Sequence, residues 1–425
     1  MATALLSRFR SLQKGFLANL ASQGGMVILN LAFLKVVVTR FSPEAYGSYA
    51  LWMGAYTLLR GVALMPLMQF LLLHYWSYKD DLQRLRAERG IQMCLMAFVA
   101  ATWLALVPGT LIVGRTGALL FLAQAALVGA IALGEASISM RLIHIHLLED
   151  HLRFGFWTTF PALVRIPLLF LLQHLFGPSS WVILSAWALT SGLMQLLIRR
   201  DPALKRLPLP GPKEAEFSSW RDYSFLVPLA LIGVTTWVLA LSDRYFIASL
   251  LGVSKAAFYA TTYALGSMPF IILSQSAILV LRPRLQRQAA AGAWCEYRQN
   301  LWRYLLVVTL LAISLALVTW FSGAFLVRLL LQPMYLQGLV ALPGILLGQV
   351  FMVIGQAAET DMYIRGKSHQ VFIKQFIATS GALFLIPILI IHFGLIGAGI
   401  ACAIYYAIDA TTGLLYSANK DSIKH

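Results

Sequence analysis

The sequence predicts an all-α, polytopic membrane protein, with about 12 transmembrane helices in two six-helix lobes related as a parallel repeat. Three observations predict it. Hydrophobic residues make up 59% of the 425-residue chain and charged residues 12%, where soluble domains carry roughly 25% charged residues. The apolar residues come in blocks long enough to cross a hydrocarbon core about 30 Å thick. In lipid each backbone group must bond within its own segment, so such blocks are helices. The connectors between blocks alternate between short ones and longer, basic ones.

Taken in order, the expected spans are residues 15–39, 45–72, 91–113, 117–138, 156–176, 180–198, 222–242, 255–281, 301–320, 338–358, 370–391 and 394–416. The N-terminal "MATALLSRFRSLQKG" is basic and amphipathic, and no small-residue cleavage site ends the first span, so that span is expected to insert and stay. Odd-numbered connectors are short, such as "TRFSPEA", "GRTG" and "HFG". Even-numbered ones are longer and basic, such as "HYWSYKDDLQRLRAERG". Of 33 Lys and Arg residues, 25 fall at the termini and even-numbered connectors and 5 on the other side (Arg40, Arg115, Arg244, Lys255 and Arg328). Lys374 is counted with the basic connector around residue 365. This bias predicts both termini in the cytoplasm. It also explains the net charge of +16 without nucleic acid, since anionic membrane lipids suffice as partners of those charges.

Residues 201–221 hold Pro202, Pro208, Pro210 and Pro212, a density that forbids helix and makes a semi-rigid spacer. The expected organisation is a lobe over 1–200, a cytoplasmic linker over 201–221 and a second lobe over 222–425. "PEAYGSYA" at 43–50 aligns at an offset of 210 with "VSKAAFYA" at 253–260. An even number of spans per half gives both halves one orientation, which is a parallel repeat.

"VVVTRFSPEAYGSYALW" and "SDRYFIASLLGVSKAAFYATTYAL" resemble the openings of the two halves of polysaccharide and O-antigen flippases, members of the multidrug/oligosaccharidyl-lipid/polysaccharide exporter superfamily. The resemblance covers the whole chain in span count and half-repeat layout. Many members carry an acidic residue, any residue, then Gly late in the second span; here the place reads Leu64-Met65-Pro66, with Arg60 one turn earlier. The resemblance implies two six-helix lobes about a central cavity with alternating access. It also implies flipping of a polyprenyl-pyrophosphate-linked oligosaccharide to the periplasmic leaflet of the cytoplasmic membrane.

Ionisable residues inside spans are rare and mark function by default. Arg60 lies about fifteen residues into the second span, near the midplane. Insertion scales put its cost there at roughly +2.5 to +3.5 kcal/mol, so the side chain is expected to face a wet cavity or a buried partner. Tyr49, Met53, Tyr56 and Arg60 share one helix face. Phenol rings stack on sugars, and a guanidinium grips phosphate oxygens bidentately. The alternative is a structural Arg paired to a carboxylate. Arg165, between Pro161 and Pro167, either binds the same anion or satisfies carbonyls freed by the prolines. Lys35 lies near a span end, from which it can snorkel. Asn19, Gln23 and Asn30 form a polar stripe in the first span, either lining a cavity or joining helices. Gln349, Gln356 and Glu359 form a similar one in the tenth.

Asp243 abuts Arg244 and reads as an ion pair or a solvated interfacial acid. Asp409, in "YYAIDATTGLL", reads as a lone carboxylate in lipid and a candidate site for a coupling proton or sodium ion, with a helix-end amide or hydroxyl partner as the alternative. Glu135 reads as solvated at a cytoplasmic end. Cys94, Cys295 and Cys402 show no pairing or metal spacing, and "HIHLLEDH" at 144–151 lacks a zinc-protease pattern. No metal or cofactor is expected. Pro66, Pro161, Pro167, Pro228, Pro269, Pro343 and Pro387 are expected bending points.

Two other classes compete with a flippase. A multidrug exporter of the same superfamily calls for an acid-dominated cavity. A membrane O-antigen polymerase or ligase calls for a sizeable periplasmic loop, and the longest stretch available, 321–337, is short. No phosphate-binding Gly-rich loop or nucleophile elbow occurs in the sequence, so the reading is a transporter and not an enzyme.

Overall fold

The computed structural model describes residues 24–74, 90, 96–97, 99, 115–147, 151–198, 200–201, 226–365 and 367–418. These form helices with no strand among them, and nine of the helices are long and apolar enough to cross a membrane. The chain is an all-α, multi-pass membrane protein. It divides into two compact units, Met1–Ala230 and Leu231–His425. Most of the expected third span and nearly all of the proline-rich segment at 201–221 lie outside the described residues.

In the N-terminal unit, residues 24–40 form helix α1, which buries Phe33, Leu34, Val37 and Val38. Ser42 caps the next helix by accepting the Ala45 N–H at 3.2 Å, with Pro43 in its first turn and Glu44 against the dipole. This second helix, α2, runs to His74 in three pieces: Pro43–Leu59, a π-helical turn Arg60–Leu64, and Met65–His74. The wide turn falls just ahead of Pro66, whose ring would clash with a carbonyl one turn back in a regular helix. The Met65 N–H bonds to the Arg60 carbonyl instead. The unit continues with α3 (Arg115–Leu147), α4 (His151–Phe176) and α5 (Ser180–Ile198). Helices α3 and α5 approach closely where a Cβ on Gly134 would lie 2.8 Å from the Ser191 Cβ.

The C-terminal unit comprises most of α6 (Leu226–Leu251), which begins just before the division, then α7 (Val253–Ala290), α8 (Trp294–Leu330), a 3-10 segment (Pro333–Ala341), α9 (Leu342–Ile364) and α10 (Ser368–Ala418). Gly394 breaks α10 with φ 57° and ψ −134°, a left-handed conformation that disfavours a side chain. The two pieces match the last two expected spans. Helix α8 buries Leu305, Val308 and Ala312 on one face and exposes Leu306, Leu310, Leu317 and Phe321 on the other. In water such an apolar face would be a liability; in lipid it is the expected outer surface.

Several boundaries depart from expectation: α3 runs to Leu147 past 138, α6 to Leu251 past 242, and α8 begins at Trp294 ahead of 301. The stretch 321–337, read as a periplasmic loop, is helical to Leu330 and resumes as 3-10 helix at Pro333. Its run "FSGAFLVRLL" is apolar, and Arg328 lies in the last turn, where a cation complements the helix dipole. Helix α7 also runs to Ala290, past the expected end at 281, taking the basic "RPRLQRQ" into the helix.

Small residues join α9 to the end of α10. A Cβ on Gly344 would stand 2.3 Å from the Gly399 backbone, one on Gly348 2.8 Å from the Cys402 Sγ, and one on Gly355 2.5 Å from the Asp409 Oδ2. Only hydrogen in place of a side chain permits this approach, the small-residue packing common between membrane helices.

Candidate functional site

Each unit contains its own cluster of ionisable side chains. In the N-terminal unit the centre is Arg165. Helix α4 places it at 5% exposure, with its guanidinium carbon 3.4 Å from the Trp187 ring centre and 5.5 Å from that of Phe33. Its Nε, buried, makes no hydrogen bond among the described residues. Ring faces, from α5 and α1, therefore hold this cation; each such contact is worth about 0.5–2 kcal/mol. Tyr49 is buried between Phe33, Tyr46 and Trp187, with ring centres 6.0–6.5 Å away. Tyr56, also buried, lies within electrostatic reach of Glu135, Arg60 and Arg165. Arg60 itself opens the π turn of α2 and its side chain is exposed.

The structure thus brings Tyr49 and Arg165 together at Trp187, with Tyr56 within electrostatic reach of both Arg165 and Arg60. Asn30 is half-buried on α1, and Lys35 is exposed. Asn19 and Gln23 lie outside the described residues. Glu135 departs from expectation: it is half-buried within a membrane-crossing helix, accepts from Trp187 Nε1 at 3.4 Å and Ser191 Oγ at 3.3 Å, and acts electrostatically on Arg165. The sequence placed it at the end of a span that continues well past it. Trp187 escaped notice because nothing in an apolar helix marks which tryptophan meets a cation.

In the C-terminal unit the expected lone carboxylate is paired. Lys374 Nζ is 2.8 Å from Asp409 Oδ2 and 2.8 Å from Glu359 Oε1. It also donates to the Gly355 carbonyl at 3.4 Å. The Lys374 side chain is wholly buried. The sequence assigned it to the basic connector around residue 365, but it lies two turns into α10, against α9 and the far end of its own helix. Gln375 donates to Glu359 at 2.9 Å and accepts from Thr235 at 2.9 Å and Thr236 at 3.3 Å. Asp409 Oδ1 is buried without a hydrogen-bond partner among the described residues. Beside Glu359 lies a cavity of about 260 Å³ lined by Gln275, Arg282, Gln356, Thr360 and Tyr363 among others.

Asp243 is 1% exposed and accepts from the Tyr259 hydroxyl at 2.5 Å and the Arg244 N–H at 2.8 Å. It is buried rather than solvated at an interface, and the Arg244 guanidinium lies over the Tyr263 ring at 5.2 Å. Gln349 donates to the Tyr263 hydroxyl at 3.2 Å. Gln356 bonds Ser274, so the amide stripe of the tenth span serves α7–α9 contact and the cavity wall.

No protein-family model and no curated protein matches the sequence. Solved structures do match in fold. The lipid II flippase MurJ, in an inward-closed conformation, aligns at 13% identity and TM-score 0.68 over 96% of this chain and 88% of that chain. An outward-facing multidrug resistance MATE family transporter of the MOP superfamily aligns at 13% identity and TM-score 0.64 over 95% and 94%. A mutant of the Vibrio cholerae MATE transporter VcmN aligns at 14% identity and TM-score 0.62 over 98% and 97%. The chain has the fold of these membrane transporters.

Proposed function

We propose that this chain is a flippase that moves a polyprenyl-pyrophosphate-linked oligosaccharide across the cytoplasmic membrane by alternating access, for O-antigen, capsule or exopolysaccharide assembly. The observation that carries the reading is Arg165. A guanidinium buried within the membrane, gripped by ring faces and with an unbonded Nε, has hydrogen-bonding capacity left for an anion. A pyrophosphate supplies that anion, and it needs such a site: a desolvated ion costs several kcal/mol even after relaxation. Tyr49, Tyr56 and Arg60 complete the headgroup site, and the amides of Asn19, Gln23 and Asn30 are the further substrate-binding residues of this reading.

The shared fold supports a transporter over an enzyme. Around Tyr56 two arginines, Arg60 and Arg165, act against one glutamate, Glu135, a balance that favours an anion over the cationic cargo of a multidrug exporter. The charge bias of the connectors supports two six-helix lobes joined by a cytoplasmic linker, with both termini in the cytoplasm. Asp409 and its partners supply the link to a cation gradient. Surface-glycan display in cells that depend on this chain for it tests the reading. Arg165→Ala and Arg60→Ala are expected to abolish display while membrane insertion is retained, and Arg60→Lys to restore it partly. Normal display in Arg165→Ala cells would remove the reading.

A further inference from the structure

The ion cluster of the C-terminal unit has an arithmetic that the described residues around it do not balance. Lys374 contributes one positive charge; Glu359 and Asp409 contribute two negative ones. With both carboxyls ionised the group carries a net charge of −1, within a unit whose apolar faces meet lipid. The neighbouring charges do not cancel it. Asp361 and Arg365, one turn along α9, neutralise each other at 2.8 Å. Arg282 of α7 is exposed, on the wall of the cavity that Glu359 also lines. The groups that α6 turns toward the cluster, Thr235 and Thr236, are neutral, as are Gln375 on α10 and Tyr363 on the cavity wall.

Hydrogen bonding points the same way. The three N–H groups of Lys374 have three acceptors: Glu359, Asp409 and the Gly355 carbonyl. Nothing remains for Asp409 Oδ1, which is buried and unbonded. Leaving an ionised oxygen in that state is costly. One added proton makes the group neutral.

A metal cation fits poorly. The ammonium already occupies the position between the two carboxylates, and no three acidic, His or Cys side chains among the described residues are placed to hold an ion. Access is one-sided. The Glu359 side chain is 16% exposed and borders the polar cavity, whereas Lys374 is wholly buried behind it.

We propose that Glu359, Lys374 and Asp409 form a single-proton site, neutral when loaded and carrying a net charge of −1 when empty, which exchanges with water through the cavity at Glu359. Loading transfers a proton from hydronium to a carboxylate oxygen, giving a carboxylic acid and water; the ammonium stays fixed as the internal counter-ion. The inference names the proton as the coupling cation and rests on the flippase reading for its purpose, though not for the binding itself.

Infrared difference spectra of the purified full-length protein in lipid nanodiscs, recorded across pH, test it without any transport substrate. A buried carboxylic-acid band is expected to appear on acidification and to shift in heavy water. It should fall to background in the Glu359→Gln/Asp409→Asn double variant. If that variant does not fold, Glu359→Gln alone is expected to shift or weaken the band. Replacing potassium by sodium at constant pH is expected to leave the spectra unchanged. Identical titrating bands in wild type and variants would overturn the proposal, as would a sodium-dependent carboxylate shift that Asp409→Asn abolishes. Normal glycan display in Arg165→Ala cells with the band intact would sink the flippase reading and leave the proton site standing.

Discussion

The two units each bury a cation, and they treat it in opposite ways. In the N-terminal unit Arg165 meets aromatic faces and leaves its Nε unbonded. In the C-terminal unit Lys374 meets two carboxylates and a carbonyl and leaves no donor unused. Ring faces stabilise a cation without neutralising it, which on the proposed reading keeps the first site attractive to an anion. Two carboxylates over-neutralise the second, so what that site lacks is positive charge. The guanidinium suits the first role because its planar fork stacks and still donates. The ammonium suits the second because it is a compact point charge.

If this contrast is right, removing each cation has a different signature. Lys374→Met leaves two carboxylates buried without a counter-ion, and the loss from breaking such a pair is about 3–5 kcal/mol. A large drop in the melting temperature of the purified protein is expected, with partial recovery when Asp409→Asn is added. A variant as stable as wild type would erase the contrast. Gly355→Ala forces a methyl group to within 2.5 Å of Asp409 Oδ2, an overpacking expected to cost about 1–3 kcal/mol; the same thermal measurement reads it. Arg165→Met, by contrast, gives up mainly its two ring contacts, roughly 0.5–2 kcal/mol each, and in exchange removes the desolvation cost of a buried charge. It is therefore expected to melt nearest to wild type while losing glycan display. A collapse in stability there would make Arg165 a structural residue.

Much of this was legible in the sequence, and each miss has a physical cause. Span positions follow from apolar block length, so α4, α5 and the two halves of α10 fall close to expectation. Arg165 and Asp409 stand out because a charge deep in a span has few bland explanations. Lys374 and Glu135 did not stand out because each lies near a boundary that hydropathy places only to within a turn or two. A charge two turns inside a helix there looks the same as one in a solvated connector. The partner of Asp409 was also hidden, since Lys374 precedes it by 35 residues and meets it only because α10 folds back at Gly394. The stretch 321–330 was misread because a helix with lipid on one side needs no polar periodicity to continue.

The glycine contacts between α9 and the end of α10 have a mechanical consequence. Where two backbones touch with no side chains between them, neither can slide along the other without collision, because packed interiors yield little. The pair behaves as a splinted strut. Any rocking of this bundle must carry both rods together.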